Sequence, residues 1–380
     1  MRIYRTTIKI ICALISTVLL LSISVFMNPG TDNIKTKSSK DLTSQLGQNI
    51  YNAKADAMGN ISEIKKIYKI PMEETIAPKP DENCYGIIDD NDTMAMTNLR
   101  NEVMKSALMD GQNLIFNGGY DVRYYIDESI VVICWKENDG NRVLSYCEVK
   151  VQDASQFRRK LKGDAFNKSG DESTLVMAVE SNAIAAMSGD YYKFRDYGIC
   201  VYQGKLERFT DKSFYPGTKS YNFIDSCFVK ANGDFAFLYK GQETTEEEMR
   251  SFIEDEDVMF SLAFGPVLIE DYEYNENMNV YPIGEPGKHA SRAAIGQYDT
   301  LHYLYLNTSW GSEMYGYTFE ELAQKMMDKG VRHAYNLDGG QTAEIVFNNE
   351  IYNKIDYDSE RRIGDCIYFA TAIDNNKNTK

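Results

Sequence analysis

Short apolar runs, each closed by a glycine beside one polar or charged residue, recur along this chain and restrict it to a sheet-based fold. Four are distinctive: Met187-Ser-Gly-Asp-Tyr-Tyr192, Phe264-Gly-Pro-Val-Leu268, His289-Ala-Ser-Arg-Ala-Ala-Ile-Gly296 and Asn336-Leu-Asp-Gly-Gly-Gln-Thr-Ala-Glu344. The runs that feed them, such as Ala183–Met187, Phe260–Ile269, Ala293–Gln297 and His333–Leu337, are too short for buried helices and are bounded by turn residues, so they read as strands. A rigid strand end is also where a chain best presents a reactive side chain.

The remaining pattern agrees. Ile130–Trp135 and Val143–Val151 alternate about Asp139-Gly140, the signature of a tight hairpin. Folding there sets Cys134 opposite Cys147, as a disulfide or as two buried thiols. Strands are also expected at Val122–Tyr125, Ile199–Tyr202, Phe228–Val229, Phe235–Tyr239 and Leu301–Asn307. A terminal hairpin, Ala343–Phe347 with Glu350–Asn353, turns through Asn348-Asn349. Helices are expected from Thr97 to Gly111, over Ser155–Leu161, over Glu246–Glu254, and after Thr318-Phe-Glu-Glu321. This last stretch is a capping box, and Phe319, Leu322, Ala323, Met326 and Met327 form one face ending at Gly330. The fold class is α+β: mixed, largely antiparallel sheets with flanking helices in one catalytic-type domain.

The N-terminus reads differently. Arg2, Arg5 and Lys9 precede an uncharged run from Ile10 to Met27, long enough to cross a hydrocarbon core. The flanking charge keeps the N-terminus cytoplasmic and exports the rest. An uncleaved anchor fits the length better than a signal peptide, the rival reading. Residues 1–29 are thus expected to be a cytoplasmic tip and anchor. Residues 30–82 are expected to be a helical stalk and a Pro78/Pro80 linker, and residues 83–375 the domain. This places a single-pass protein in the cell membrane with its C-terminal domain outside. A net charge of −15 on 380 residues argues against nucleic acid as a partner. The seven cysteines form no CxxC pair, and no HExxH occurs, so no structural zinc site is expected.

Several residues carry chemistry. Arg292 enters an apolar strand, and an unpaired buried guanidinium is costly, so it needs an anion: Asp190, Asp338 or a ligand phosphate. Asp190 and Asp338 stand at separate strand ends and could act as nucleophile or base, or simply stabilise turns. Gly339, Gly340 and Thr342 can offer N–H groups and a hydroxyl to phosphate or sugar oxygens. His302 reads as structural, whereas His289 stands three residues before Arg292. No GxSxG elbow, Walker A loop or complete EF-hand is present.

From about Ser145 to Ile373 the chain resembles the phosphodiester glycosidase family. The matching motifs, in order, are Gln152-Asp-Ala-Ser-Gln-Phe-Arg158, Ser188-Gly-Asp-Tyr-Tyr192, Phe264-Gly-Pro-Val-Leu268, Ser291-Arg-Ala-Ala-Ile-Gly296, Asn336-Leu-Asp-Gly-Gly-Gln-Thr-Ala343 and Glu360-Arg-Arg-Ile-Gly-Asp365. The resemblance implies cleavage between a sugar's anomeric carbon and a phosphodiester oxygen. It implies Arg292 as phosphate clamp, aided by His289, and Asp338 or Asp190 as nucleophile or base. Asn336, Gly339, Gly340, Thr342 and Arg361 would hold the substrate, with Tyr191 and Tyr192 stacking on the sugar. No cofactor is implied, although the carboxylates could hold a divalent cation. The substrate would be a sugar-phosphate polymer or polysaccharide of the cell envelope. Ser188, Ser291, Ala293, Gln341 and Ala343 depart from the family pattern and thin its hydrogen-bonding shell. A non-catalytic module binding sugar-phosphate polymers is the rival reading.

Overall fold

The hairpin about Gly140 shows how the local code becomes architecture. In the computed structural model, Ile130–Asp139 and Arg142–Val151 pair antiparallel with Asp139 opposite Arg142, and Gly140 takes the positive φ of 64° that the turn requires. Cys134 stands directly opposite Cys147, and both are free thiols. The structure describes residues 68–106, 108–109, 112–166, 170–209, 220–308 and 316–374.

This hairpin lies within a nine-stranded sheet. Its order is Tyr85–Ile88, Tyr120–Ile126, Ile130–Asp139, Arg142–Val151, His302–Asn307, Ala293–Asp299, His333–Leu337, Val267–Glu270 and Glu273–Tyr274. A five-stranded sheet runs Glu350–Ile351, Ile345–Phe347, Ala185–Ser188, Asp365–Phe369 and Phe157–Leu161. A smaller one joins Phe235–Leu238, Ser226–Lys230 and Val258–Leu262. Every pairing in these three sheets is antiparallel. The described chain is therefore mostly β with a few helices.

Strand alternation builds the core. Cys134, Val149, Ile295, Tyr305, Tyr335 and Leu337 of the large sheet meet Met187, Ile345, Ile367 and Phe369 of the five-stranded sheet, together with Phe260 and Leu262. The opposite face of the large sheet, with Trp135, Leu304, Leu306 and Ala334, is covered by the helices Thr93–Lys105 and Phe319–Asp328. Thr318 and Glu321 form the expected reciprocal cap, at 2.9 and 3.2 Å. The outer face of the five-stranded sheet, with Ala186, Val346 and Tyr368, is covered by the helix Thr174–Glu180. Each fully buried large apolar side chain contributes about 1.5–3 kcal/mol, so the shared interior between the sheets dominates the stability.

Four expectations change. Ser155–Leu161 is not a helix: only Ala154–Gln156 makes a 3₁₀ turn, and Phe157–Leu161 is a strand. Arg159 points inward at two carboxylates, which the strand's alternation makes possible. Phe260–Ile269 breaks into two strands around Ala263-Phe-Gly-Pro266. The helix starting at Thr93 stops at Lys105, short of Gly111. The segment around Pro78 is extended but packed down: Ile70 and Ala77 are buried, and Ala77 N–H donates to Ser181 O at 3.2 Å. The expected anchor and most of the stalk lie outside the described residues. Among the described residues, no helix is long and apolar enough to cross a membrane.

Candidate active site

Two strand ends meet where the large and five-stranded sheets face each other. Ala185–Ser188 ends in Ser188-Gly189-Asp190, and His333–Leu337 ends in Asp338-Gly339-Gly340. The Ser188 hydroxyl donates to the Asp338 carbonyl at 3.2 Å and ties them together. Gly340 N–H donates to Ser291 O at 2.9 Å. A Cβ on Gly339 would sit 2.4 Å from the same oxygen, so only glycine lets the strand beginning at Ala293 approach. Asn336 Nδ2 donates to Gly265 O at 2.7 Å, which brings in the Phe264-Gly-Pro turn. The four stretches are therefore spatial neighbours.

Beneath them lies a buried ion cluster. Arg159 Nε donates to Asp365 Oδ2 at 2.8 Å, and its Nη2 stands 3.1 Å from Asp190 Oδ2. Asp190 also accepts from Ala263 N–H at 2.9 Å and from Tyr192 N–H at 2.5 Å. Asp365 Oδ2 accepts the Asp190 N–H at 3.2 Å. Burial and the nearby Asp190 charge push the Asp365 carboxyl well above the usual carboxylate range, against the pull of Arg159. Asp190 is therefore committed to holding its loop, which corrects its expected role as nucleophile or base. The sequence reading assigned no role to Arg159 or Asp365; their signal was a charge at an inward-facing strand position.

Asp338 is different. It is buried, and its Oδ2 receives no hydrogen bond from the described residues. Burial raises its pKa to about 6, opposed by the positive charges of Arg361 and Arg195 and by the Thr342 hydroxyl and Gly339 N–H. Both guanidinium groups gather about Tyr191. The guanidinium carbon of Arg361 lies 4.9 Å from the Tyr191 ring centre and that of Arg195 lies 5.0 Å away. Arg361 Nη2 donates to the Tyr191 hydroxyl at 2.5 Å, and Arg195 Nη1 donates to Ala263 O at 3.2 Å. Among the described residues neither guanidinium is ion-paired with a carboxylate, although Arg195 is buried. An ionisable carboxyl thus lies under the charge of two cations that have no anionic partner among the described residues.

The family profile described as phosphodiester glycosidase matches residues 181–370, half of the chain and the part that carries all of these groups except Arg159. The chain belongs to the phosphodiester glycosidase family. It is accordingly a hydrolase acting on glycosyl phosphodiester bonds. No curated protein matches it. Among solved structures it is similar to the zebrafish N-acetylglucosamine-1-phosphodiester alpha-N-acetylglucosaminidase catalytic domain, auto-inhibited by its pro-peptide. There the identity is 16% and the TM-score 0.50, over 64% of this chain and 83% of that one. A hypothetical protein from Synechocystis matches at 13% identity and a TM-score of 0.44, over 65% of this chain and 63% of that one.

The other residues implied by phosphodiester glycosidase membership fall in several places. Arg292 is not paired with Asp190 or Asp338. Its Nε donates to Tyr317 O at 2.9 Å, Nη1 to Gly284 O at 2.5 Å, and Nη2 to Glu285 O and Lys288 O at 3.0 and 2.7 Å. Phe319 lies 4.3 Å below the guanidinium. Burial holds its pKa down at about 10. Main-chain carbonyls have taken the place of the anion, so the expected phosphate clamp is a brace for the 284–288 loop. Arg292→Ala is expected to cost about 2–4 kcal/mol in urea unfolding, because four carbonyls lose their donors, and to change KM for a diester by less than about threefold.

His289 is half exposed and lies 3.3 Å from Glu321, on the helix Phe319–Asp328; it too is corrected from helper to surface partner. Tyr192 is fully buried beside Gly364 and cannot stack on a sugar. Tyr191 keeps partial exposure between the arginines. Thr342 is buried and donates to Gly339 O at 2.8 Å, shaping the turn. Asn336 is buried, and its Oδ1 has no hydrogen-bond partner among the described residues. Gln341 Nε2 reaches Ser359 Oγ at 3.2 Å and links this turn to the loop carrying Arg361. Glu344, at the end of the same motif, is fully enclosed; burial raises its pKa to about 8, so it is neutral at pH 7.

Proposed function

We propose that this protein hydrolyses a sugar-1-phosphodiester, with Asp338 at the anomeric carbon and Arg195 and Arg361 on the phosphate. The observation that carries the assignment is an Asp338 oxygen with no hydrogen-bond partner among the described residues, under the positive charge of two guanidinium groups that no described carboxylate pairs. A phosphodiester has the complementary pattern, an electrophilic carbon next to an anion. Asp338, ionised, takes the proton of an attacking water or adds to the carbon itself, and the anomer first released distinguishes the two. The C1–O bond breaks, and its electron pair leaves on the phosphate, whose growing charge the two arginines share. A phosphate monoester departs readily, so no strong general acid is required. The arginines supply the positive charge that a metal would otherwise bring, so the reading uses no cofactor.

The substrate in this reading is a sugar-phosphate polymer or polysaccharide of the cell envelope. The apolar run Ile10–Met27 would anchor the protein in the membrane, with residues 83–375 outside the cell. The decisive assay is release of reducing sugar from a panel of sugar-1-phosphodiesters. Arg195→Ala and Arg361→Ala are each expected to raise KM about 10- to 100-fold, the loss of one charge-assisted contact. No release from any diester, with diesters still bound, would turn the site into that of a binding module.

A further inference from the structure

Two exposed rings lie next to the arginine pair and have no part in the chemistry proposed above. The loop leaving Asp190 places an aromatic at every third residue: Tyr191, Phe194 and Tyr197. Tyr191 stacks on Phe194 with ring centres 4.5 Å apart. Tyr197 meets Phe223 edge-on at 5.1 Å. Arg195 joins the two pairs, 5.0 Å from the Tyr191 ring and 5.8 Å from that of Tyr197. Arg361 flanks the other end, 5.2 Å from Phe194. Phe194 is 42% exposed and Phe223 is 41% exposed. Scattered exposed rings need no explanation, but exposed rings contiguous with a cationic site mark a binding surface.

The chemistry of the strip points to its occupant. One face of a pyranose is apolar and packs on an aromatic ring, while its rim hydroxyls take hydrogen bonds from neighbouring donors. Alternating rings and guanidinium groups offer both. The chain as a whole carries −15, so a polyanion is repelled elsewhere and drawn to this strip.

We infer that Phe194, Tyr197 and Phe223 form a second sugar subsite continuous with the phosphodiester site, so that the enzyme grips a chain of sugars beside the scissile bond. This rests on the proposed reading of Asp338, Arg195 and Arg361. Its consequence is a preference for the interior of a polymer over a single sugar cap.

The test uses p-nitrophenyl phosphodiesters of mono-, di- and trisaccharide 1-phosphates, in one series built on N-acetylglucosamine and one on glucose. For the parent protein, kcat/KM is expected to rise at least about tenfold from one sugar to three in at least one series. Phe223→Ala should remove most of that rise, about fivefold, leave the monosaccharide rate unchanged and keep the parent melting temperature. Phe223→Trp should restore it. A parent rate flat with length in both series overturns the subsite. So does a Phe223→Ala loss of equal factor at every length. If no diester is cleaved, the proposed activity fails, and calorimetric titration with the same trisaccharide 1-phosphates decides the subsite alone. Saturable binding that Phe223→Ala weakens supports it, whereas absent or unweakened binding sinks it.

Discussion

Replacing Asp338 by asparagine is expected to abolish hydrolysis and at the same time make the fold more stable. The loss should be about 10²–10⁴-fold in kcat, the usual worth of a positioned acid–base group. The gain follows from linkage. The folded-state pKa, about 6, lies above the ordinary value of 3.8, so the folded protein holds this proton more tightly than the unfolded chain does. Stability is then greatest below the unfolded pKa and is lost as pH rises from about 4 to about 6. At pH 7 the enclosed carboxylate costs about 3 kcal/mol, which Asp338→Asn removes. Activity runs the other way: kcat/KM should rise with pH through about 6 and level off above it, because the working form is ionised. Urea unfolding and the pH–rate profile of both proteins check the pair of effects. An asparagine variant that is less stable at pH 7, or a parent rate that falls through pH 6, would exclude this role.

The second large effect lies below the site. Arg159→Met is expected to cost about 3–5 kcal/mol, because it leaves Asp190 and Asp365 enclosed together without a cation. The penalty should shrink as pH falls and Asp365 takes up a proton. Combining Arg159→Met with Asp190→Asn and Asp365→Asn should recover much of the loss, since no buried charge then remains. Chemical denaturation between pH 5 and 8 measures all three proteins. A cost below about 1 kcal/mol would mean that the cluster is open to water. Asp365 also holds the Asp190 N–H, the start of the loop that bears Tyr191 and Arg195, so weakened diester binding should accompany the instability.

Much of this was legible in the sequence. Gly140 fixed the hairpin register, and the glycine-closed runs marked the strand ends that converge. Asp338 was identifiable as a carboxylate at a strand end. What stayed hidden was partner choice. Arg159 sits in Phe-Arg-Arg-Lys-Leu, whose density of charge mimics a solvated helix; only the fold shows two carboxylates waiting inside. Arg292 was correctly read as needing compensation, but carbonyl oxygens are invisible in a list of side chains. Arg195 follows its motif within an irregular loop, where no periodicity marks a buried position, and Arg361 stood out only through family resemblance. His289 and Tyr192 stand one strand end and one residue from the groups they were expected to join, and the backbone turns them elsewhere.

The hydroxyl link from Ser188 to the Asp338 carbonyl has a wider consequence. Asp338 travels with the large sheet, whereas Tyr191, Arg195 and Arg361 travel with the five-stranded one. In the proposed reaction the anomeric carbon and the phosphate would be held as by a calliper whose jaws belong to different layers. The spacing of those layers is set by interior residues such as Met187, Tyr305 and Leu337, none of which would touch a substrate. Variants selected for bulkier or slimmer diesters should accumulate changes in that filling, and a shift in selectivity would then register as a change in interior volume.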